Sequence, residues 1–199
     1  MRRQVLTIGA AALAAVLTVT ACGGAGNQTG TTTPAGSSAS SGSSSAATTH
    51  NQADVAFAQE MIPHHQQAIQ MSDIILGKQG IDPRVVQLAN DIKAAQGPEI
   101  QQMQSWLSQW AVPTISMAPG TTMTGMLTDQ AIAALQNAQG VDAGRQFLTG
   151  MIQHHQGAIA MAQEEIKNGQ YPPAIALAHS IVTSQQQQIT TMQGLLASL

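Results

Sequence analysis

Apolar positions recur with the period of an α-helix in four long segments of the chain. In the first segment, one side of the helix collects Met61, Ala68, Ile69, Ser72, Ile75 and Leu76. In the second, the same spacing aligns Val85, Leu88, Ala89, Ile92, Ile100, Met103 and Leu107. Nowhere in the sequence does a run of alternating apolar and polar residues lie between turn signals, as a β-strand would. The pattern therefore predicts an all-α protein.

Residues that cap or interrupt helices mark where these segments begin and end. Gly77 and Gly80 end the first segment. Asp82 followed by Pro83 is typical of an N-cap and a first helical residue, so the second helix begins there. The remaining signals are Pro113 after the second segment, Asn168-Gly169 after the third and Pro172-Pro173 before the fourth.

The two halves of this pattern repeat each other. Residues 57–71 match residues 147–161, and both contain Met-Ile-x-His-His-Gln-x-Ala-Ile-x-Met. Further on, seven positions agree one residue out of step: Leu88, Ala89, Ile92, Gln96, Ile100, Met103 and Leu107 match Leu177, Ala178, Ile181, Gln185, Ile189, Met192 and Leu196. Each half is therefore a helical hairpin, and two such hairpins pack most simply as a four-helix bundle.

The segment between the halves differs from both in composition. Residues 112–127 are rich in Pro, Gly, Thr and Met, and they are long enough to form a crossover loop. Thr128 then caps a short extra helix predicted over residues 129–137. Within the first helix, Pro63 stands where the second copy has Gln153. Because proline removes a backbone donor, we expect a kink there.

The first residues have the pattern of a bacterial export signal. Arg2 and Arg3 precede an apolar run over residues 5–19, which is shorter than the roughly 20 residues of a membrane span. Cys22 follows small residues and resembles the acylated cysteine of bacterial lipoproteins. The alternative is a plain signal peptide followed by a chance cysteine. Cys22 is the one cysteine of the chain, so lipidation explains it better than a disulfide does.

These features predict three parts: a signal peptide over residues 1–21, a lipidated Cys22 with a flexible Gly/Ser/Thr-rich tether over residues 22–50, and the bundle domain over residues 51–199. The protein would lie outside the cytoplasm, anchored by lipid to the bacterial cell membrane. Removal of residues 1–21 would leave five basic residues against ten acidic ones, which excludes an electrostatic footprint for nucleic acid. The sequence identifies no protein partner.

The repeated motif places possible metal ligands on one helix face. Residues i, i+3 and i+4 of a helix project together, so Met61, His64 and His65 share a face. The second copy repeats this arrangement with Met151, His154 and His155. Both histidines of each copy fall inside the apolar arc, His65 nearer its centre and His64 nearer its edge. A buried imidazole needs a partner, because a buried polar group without one costs about 1–3 kcal/mol.

If the two copies face each other, four histidines and two methionines meet near the middle of the bundle. Met103 and Met192 would contribute from the partner helices. Thioether sulfur binds Cu(I) well, and imidazole suits Cu, Zn, Fe and Ni, so the mixture favours copper, as Cu(I) or Cu(II), ahead of zinc. A ferritin-like di-iron site is not supported, because Gly150 and Gln188 stand where the first copy has Glu60 and Glu99. A second, weaker Cu(I) site is possible at the loop methionines Met117, Met123 and Met126.

Other interpretations of the same residues stay open. The histidines could be structural groups paired with Gln, Ser or backbone, and the helix methionines could be core packing. His50 belongs to the tether, and His179 lies near a solvated edge of its helix. We therefore weigh three functions: an envelope-anchored copper-binding protein that sequesters or hands on the metal, a structural or partner-binding envelope module, and a metal-dependent oxidase. No nucleophile, base and orienting residue can be assembled from the sequence, which favours a protein that is not an enzyme. Binding should weaken as pH falls through the histidine range, around 6.5.

At the paired His-His segments, the chain resembles the domain-of-unknown-function 305 family of secreted bacterial proteins. The resemblance covers about residues 51–199 and includes Leu-Ala-x-x-Ile followed by Ile-x-x-Met. It implies a ferritin-like four-helix bundle, and some members are similar to periplasmic copper-binding proteins that protect cells from copper. By position it implies the site residues Met61, His64, His65, Met151, His154 and His155. The two halves differ at Pro63, which is matched by Gln153, and at Gln188, which is matched by Glu99, so they are not equivalent at these two positions.

Overall fold

The structure is a computed structural model that describes residues 49–118, 120 and 122–199. This part of the chain forms five helices: α1 (Gln52–Leu76), α2 (Pro83–Gln109), α3 (Asp129–Asn137), α4 (Gly140–Asn168) and α5 (Pro172–Ser198). It contains no strand, so the all-α prediction is confirmed. The four long helices form the predicted bundle of two hairpins, with a crossover loop and the short helix α3 between them. The predicted signal peptide, Cys22 and most of the tether lie outside the described residues.

The helix ends follow the capping residues of the sequence. Asn51 caps α1 and accepts from the backbone of Asp54, whose carboxylate in return accepts from the Asn51 backbone at 2.6 Å. Asp82 and Thr128 cap α2 and α3 as predicted, each accepting a backbone N–H from the first turn. α1 continues as one helix through Pro63, and the kink expected at that residue stays a prediction. None of the described helices is long and apolar enough to span a membrane.

Contacts at both ends show that α1 and α4 lie side by side and antiparallel. At one end, the side chain of Asn51 donates to the carbonyl oxygen of Asn168 at 2.8 Å. At the other end, Lys78 donates to the carbonyl oxygens of Gln136 and Ala138, both at 2.7 Å. The middle of α1 therefore lies beside the middle of α4, and the two copies of the repeated motif are at the same level of the bundle.

The apolar core divides into two clusters along the bundle. The Phe147 cluster occupies the end where α1 finishes and includes Ala68, Met71, Ile92, Phe147, Leu148, Met151 and Met192. The Phe57 cluster occupies the end where α1 begins and includes Phe57, Met61, Met103, Trp106, Ala158, Ala162 and Ile181. Both clusters take residues from all four long helices, so each helix is fixed above and below the middle of the bundle.

An aromatic group closes the end where α1 begins. The Trp106 and Trp110 rings lie 6.3 Å apart, and each meets Tyr171 edge to face, at 5.5 and 5.2 Å. His50 stacks on Trp110 with 4.4 Å between ring centroids and nearly parallel planes. This group, with Asp54 accepting from the Tyr171 backbone at 2.9 Å, joins the start of α1 to the turn before α5.

Candidate metal centre

Four buried histidines meet between α1 and α4. His64 and His154 face each other with 3.8 Å between ring centroids and planes tilted by 44°. His65 and His155 follow them on their helices, and all four residues have 0% exposure. We call these four residues the histidine layer. The sequence predicted that the two copies of the motif would face each other, and the structure brings their histidines together.

A short piece of the crossover loop covers this layer. The carbonyl oxygen of Thr124 accepts a hydrogen bond from His64 Nε2 at 3.2 Å. We call residues 124–127 the strap. The sequence placed His64 near the edge of the apolar arc, but the structure buries it completely because the strap lies over it. The periodicity of apolar residues along a helix cannot show that a distant loop covers one of them.

Oxygen acceptors fix the protons of three imidazoles. A carbonyl or a carboxylate oxygen can only accept, so the proton of His64 lies on Nε2, toward Thr124. His65 Nε2 lies 2.7 Å from a carboxylate oxygen of Glu99, and His155 Nε2 lies 2.7 Å from the amide oxygen of Gln188. In these three rings, therefore, Nε2 is the donor and Nδ1 carries the lone pair.

The Nδ1 atoms have no hydrogen-bond partner among the described residues, and this holds for His64, His65, His154 and His155 alike. His154 also lacks a partner within this part of the chain for its Nε2. Histidines that bind metals usually donate their other ring N–H to a carboxylate, a carbonyl or water, which leaves the opposite nitrogen free for the ion. Three members of the histidine layer have this arrangement.

Burial keeps the imidazoles of His64, His154 and His155 neutral. Burial, followed by the charge of neighbouring His65, lowers the pKa of His64 to about 3. Burial also lowers the pKa of His155 to about 4, against the opposing effect of the hydrogen bond that His155 donates to Gln188. The pKa of His154 falls well below its usual value because of burial first and His64 next. Lone pairs on these rings are thus available at neutral pH, and the titration expected near 6.5 from the sequence moves to much lower pH.

The methionines do not meet at one point, contrary to the prediction. Met61 and Met103 belong to the Phe57 cluster, whereas Met151 and Met192 belong to the Phe147 cluster, and all four are fully buried. Each motif methionine precedes its histidines by one turn, and the helices are antiparallel. Met61 and Met151 therefore lie on opposite sides of the histidine layer, about 10 Å apart along the bundle at 1.5 Å per residue.

The remaining candidates lie apart from the layer. Met117, Met123 and Met126 are half-buried in the crossover loop, and two of them, Met117 and Met126, line one cavity of about 620 Å³ beside α1. A weaker Cu(I) site at these residues stays a prediction.

The two other histidines of the described chain lie outside the layer. His179 is exposed, as expected, and His50 stacks on Trp110. Among the described residues no three His, Cys, Asp or Glu side chains are grouped as a metal centre. The donors that the structure does bring together are paired imidazoles with thioethers one turn away.

Sequence reasoning missed several residues around the layer. Thr124 contributes through its backbone, which no side-chain motif records. Gly157 lies against the strap. The sequence offered one sign of this contact, because the repeat has glycine at this position where the first copy has Gln67. Gln96 and Gln185, equivalent in the repeat, are both buried to 2% exposure on the partner helices.

Family comparison agrees with the repeated motif. A family model described as Domain of unknown function (DUF305) matches residues 54–196. The chain belongs to the DUF305 family. A stretch of 56 residues is also 45% identical to the uncharacterized protein L153 of Acanthamoeba polyphaga mimivirus, and it spans 36% of that protein's length.

Solved structures of several proteins share the fold of this DUF305 chain. A DUF305 fragment from Deinococcus radiodurans is 34% identical, with a TM-score of 0.69 over 75% of this chain and 98% of its own. A DUF305 protein from Streptomyces coelicolor, described as secreted, is 36% identical, with a TM-score of 0.68 over 73% and 93%. CopM in its Cu(I)-bound form is 33% identical, with a TM-score of 0.60 over 73% and 96%, and its Cu(II)- and Ag-bound forms match similarly.

Proposed function

We propose that this protein binds copper in the histidine layer and sequesters it or hands it on outside the cytoplasm. The observation that carries the proposal is the set of four buried Nδ1 atoms that lack a partner in the described part of the chain. A buried polar atom without a hydrogen-bond partner costs about 1–3 kcal/mol, and such an atom recurs on each ring of the histidine layer. A metal ion bound to such a nitrogen would remove the cost at that ring.

The donor set supports copper over zinc. Neutral imidazole suits several metals, but the thioethers of Met61 and Met151, one turn from each pair, favour a soft ion such as Cu(I). Structural zinc sites use Cys, His and carboxylate ligands in a tetrahedron, and thioether is not among those ligands. The relationship to CopM, which has been solved with Cu(I), Cu(II) and Ag bound, supports the same conclusion.

The surroundings of the layer support binding rather than catalysis. The carboxylate of Glu99, bonded to His65, offers a negative charge near a bound cation and orients the imidazole. The second copy has the neutral amide of Gln188 at the corresponding place, so the two halves differ in charge. Sequestration and transfer require only reversible binding, which neutral imidazoles supply.

A competition titration tests the proposal. Purified protein should bind Cu(I) more tightly than Cu(II), and Cu(II) more tightly than Zn(II), when each ion competes with a chelator of known affinity. Combining Met61→Leu with Met151→Leu should weaken Cu(I) binding more than Cu(II) binding, because sulfur is the softer ligand. Met71→Leu, which changes a fully buried methionine about two turns beyond His64, is the matched control and should change neither. Protein that binds no copper at micromolar concentration, in either oxidation state, defeats the proposal.

We further propose that Cys22 carries the lipid that anchors the protein to the cell membrane. Changing Cys22→Ser should move the protein from the membrane fraction to the soluble exported fraction, because serine is not acylated in this pathway. Immunoblots of fractionated cells measure the distribution, and far-ultraviolet circular dichroism should show an unchanged helical domain. Retention of the serine variant in membranes at the original level would contradict the anchor.

A further inference from the structure

The strap is attached firmly to α1 at one end. The side-chain oxygen of Gln67 accepts from the Leu127 backbone at 2.7 Å, and its amide nitrogen donates to the Leu127 carbonyl oxygen at 2.9 Å. Two bonds from one side chain to the same residue hold that residue in both position and orientation. At the other end, Thr124 is bonded to His64, a member of the histidine layer itself.

On α4 the strap is seated against a glycine rather than bonded. Gly125 has φ +86°, a conformation that glycine adopts without strain. A Cβ added at Gly157 would lie 2.7 Å from the Cα of Gly125 and closer still to the carbonyl oxygen of Thr124. Gly157 occupies the position that Gln67 occupies in the first copy, so the duplicated helices differ where they meet the strap.

Open clefts adjoin the strap at both ends. A cavity of about 510 Å³ between α1 and α4 is lined by Thr124, and the exposed acids Glu60 and Glu164 also line it. A second cavity, of about 340 Å³, is lined by Leu127 at the opposite end. His64, bonded to Thr124, therefore lies directly behind a wall that solvent reaches.

We propose that the strap is the gate through which a copper ion enters and leaves the histidine layer. The Thr124–Gly125 end lifts from Gly157, while Leu127 stays clamped by Gln67 and acts as the hinge. Lifting exposes His64 to the cleft, whose acidic residues raise the local concentration of cations. Closure returns the Thr124 carbonyl to His64 and sets the lone pair on its Nδ1. This inference rests on the proposed copper binding and adds the route of exchange.

Alanine at Gly157 tests the gate. Gly157→Ala places a methyl group where the strap sits, so the strap should stay lifted and copper should load and leave severalfold faster in stopped-flow measurements. Equilibrium affinity should fall by about tenfold, because His64 loses its carbonyl partner. Gly97→Ala and Gly194→Ala are matched controls, since a Cβ at either helical glycine meets no described atom within 4 Å. Both controls should keep the original rates.

A readout without metal separates this inference from the proposed function. Diethyl pyrocarbonate modifies accessible imidazoles, and peptide mass spectrometry of the metal-free protein should show faster modification of His64 in Gly157→Ala than in the two controls. If the glycine variant does not fold, Gln67→Ala provides a second test. It removes both hydrogen bonds that hold Leu127, and His64 should again be modified faster than in the controls. Unchanged rates and unchanged modification in a folded variant that still binds copper would overturn the gate alone. Parent protein without copper binding would overturn both proposals.

Discussion

Replacing His65 and His155 by alanine together should abolish tight copper binding. Together the two substitutions remove one imidazole from each half of the histidine layer, so no pair of neighbouring rings remains on either helix. The copper content of dialysed protein, measured by atomic absorption, should fall from the stoichiometry of the parent to background. Retention of stoichiometric copper by the double variant would show that the metal lies elsewhere.

The chain supplies a matched control for this experiment. His50→Ala with His179→Ala also removes two imidazoles, but both lie outside the layer, and copper content should not change. Because alanine leaves cavities in a packed core, the layer variant should be less stable, and circular dichroism must show that it is folded. His65→Leu with His155→Leu fills more of the space and should give the same loss of copper.

The metal-free protein should lose its helices as pH falls below 6.5. In the folded state the pKa values of His64 and His155 are about 3 and about 4, whereas the unfolded chain titrates near 6.5. Neutral histidine therefore favours the fold, and its full contribution is present above pH 6.5. As pH falls from 6.5 toward 4 and then 3, the unfolded chain binds protons that the folded chain excludes. Each such histidine lowers the free energy of unfolding by roughly 1–1.5 kcal/mol per pH unit.

One buried carboxyl group has the opposite dependence. Burial, followed by the neighbouring carboxyl group of Asp54, raises the pKa of Glu165 to about 8. Its contribution is present below the unfolded value of 4.5 and is lost as pH rises through 8, so it partly offsets the histidines between pH 6.5 and 4.5. Three histidines with lowered pKa values outweigh this single group, and acid unfolding should remain steep.

Acid titration followed by far-ultraviolet circular dichroism in the presence of a chelator checks this result. Copper-loaded protein should unfold at lower pH, because a coordinated nitrogen does not accept a proton. His154→Leu should also shift the midpoint downward, since it removes one of the groups that must be protonated. A metal-free protein that keeps its helices unchanged down to pH 3 would show that the histidine layer is hydrated or otherwise compensated.

Local signals predicted most of the fold. The caps Asp82 and Thr128 begin α2 and α3 as expected, because a side chain that accepts the first free backbone N–H acts on its own turn. The meeting of the four histidines followed from the repeat, since two equivalent helices in a bundle place equivalent faces toward each other. The capping prediction needs only the sequence around one helix end, and the histidine prediction needs only the comparison of one helix with its copy in the repeat.

The features that the sequence did not predict depend on long-range contacts. The strap is positioned by Gln67 and Gly157, and the bonds to Gln67 span 60 residues of chain. The separation of Met61 from Met151 depends on the antiparallel direction of α1 and α4, which reverses the order of methionine and histidine between them. The lowered pKa values depend on how completely the strap and the four helices exclude water, and no pattern of residue types measures this exclusion.

The aromatic group at the start of α1 determines what the protein's fluorescence can report. Both tryptophans of the chain, Trp106 and Trp110, belong to this group, and one of them stacks on His50. Their emission therefore describes the end of the bundle where the described chain begins, not the occupancy of the histidine layer. A change in this emission would indicate a change in the stacking of His50 on Trp110. The protein thus carries a built-in optical label at the start of its helical bundle.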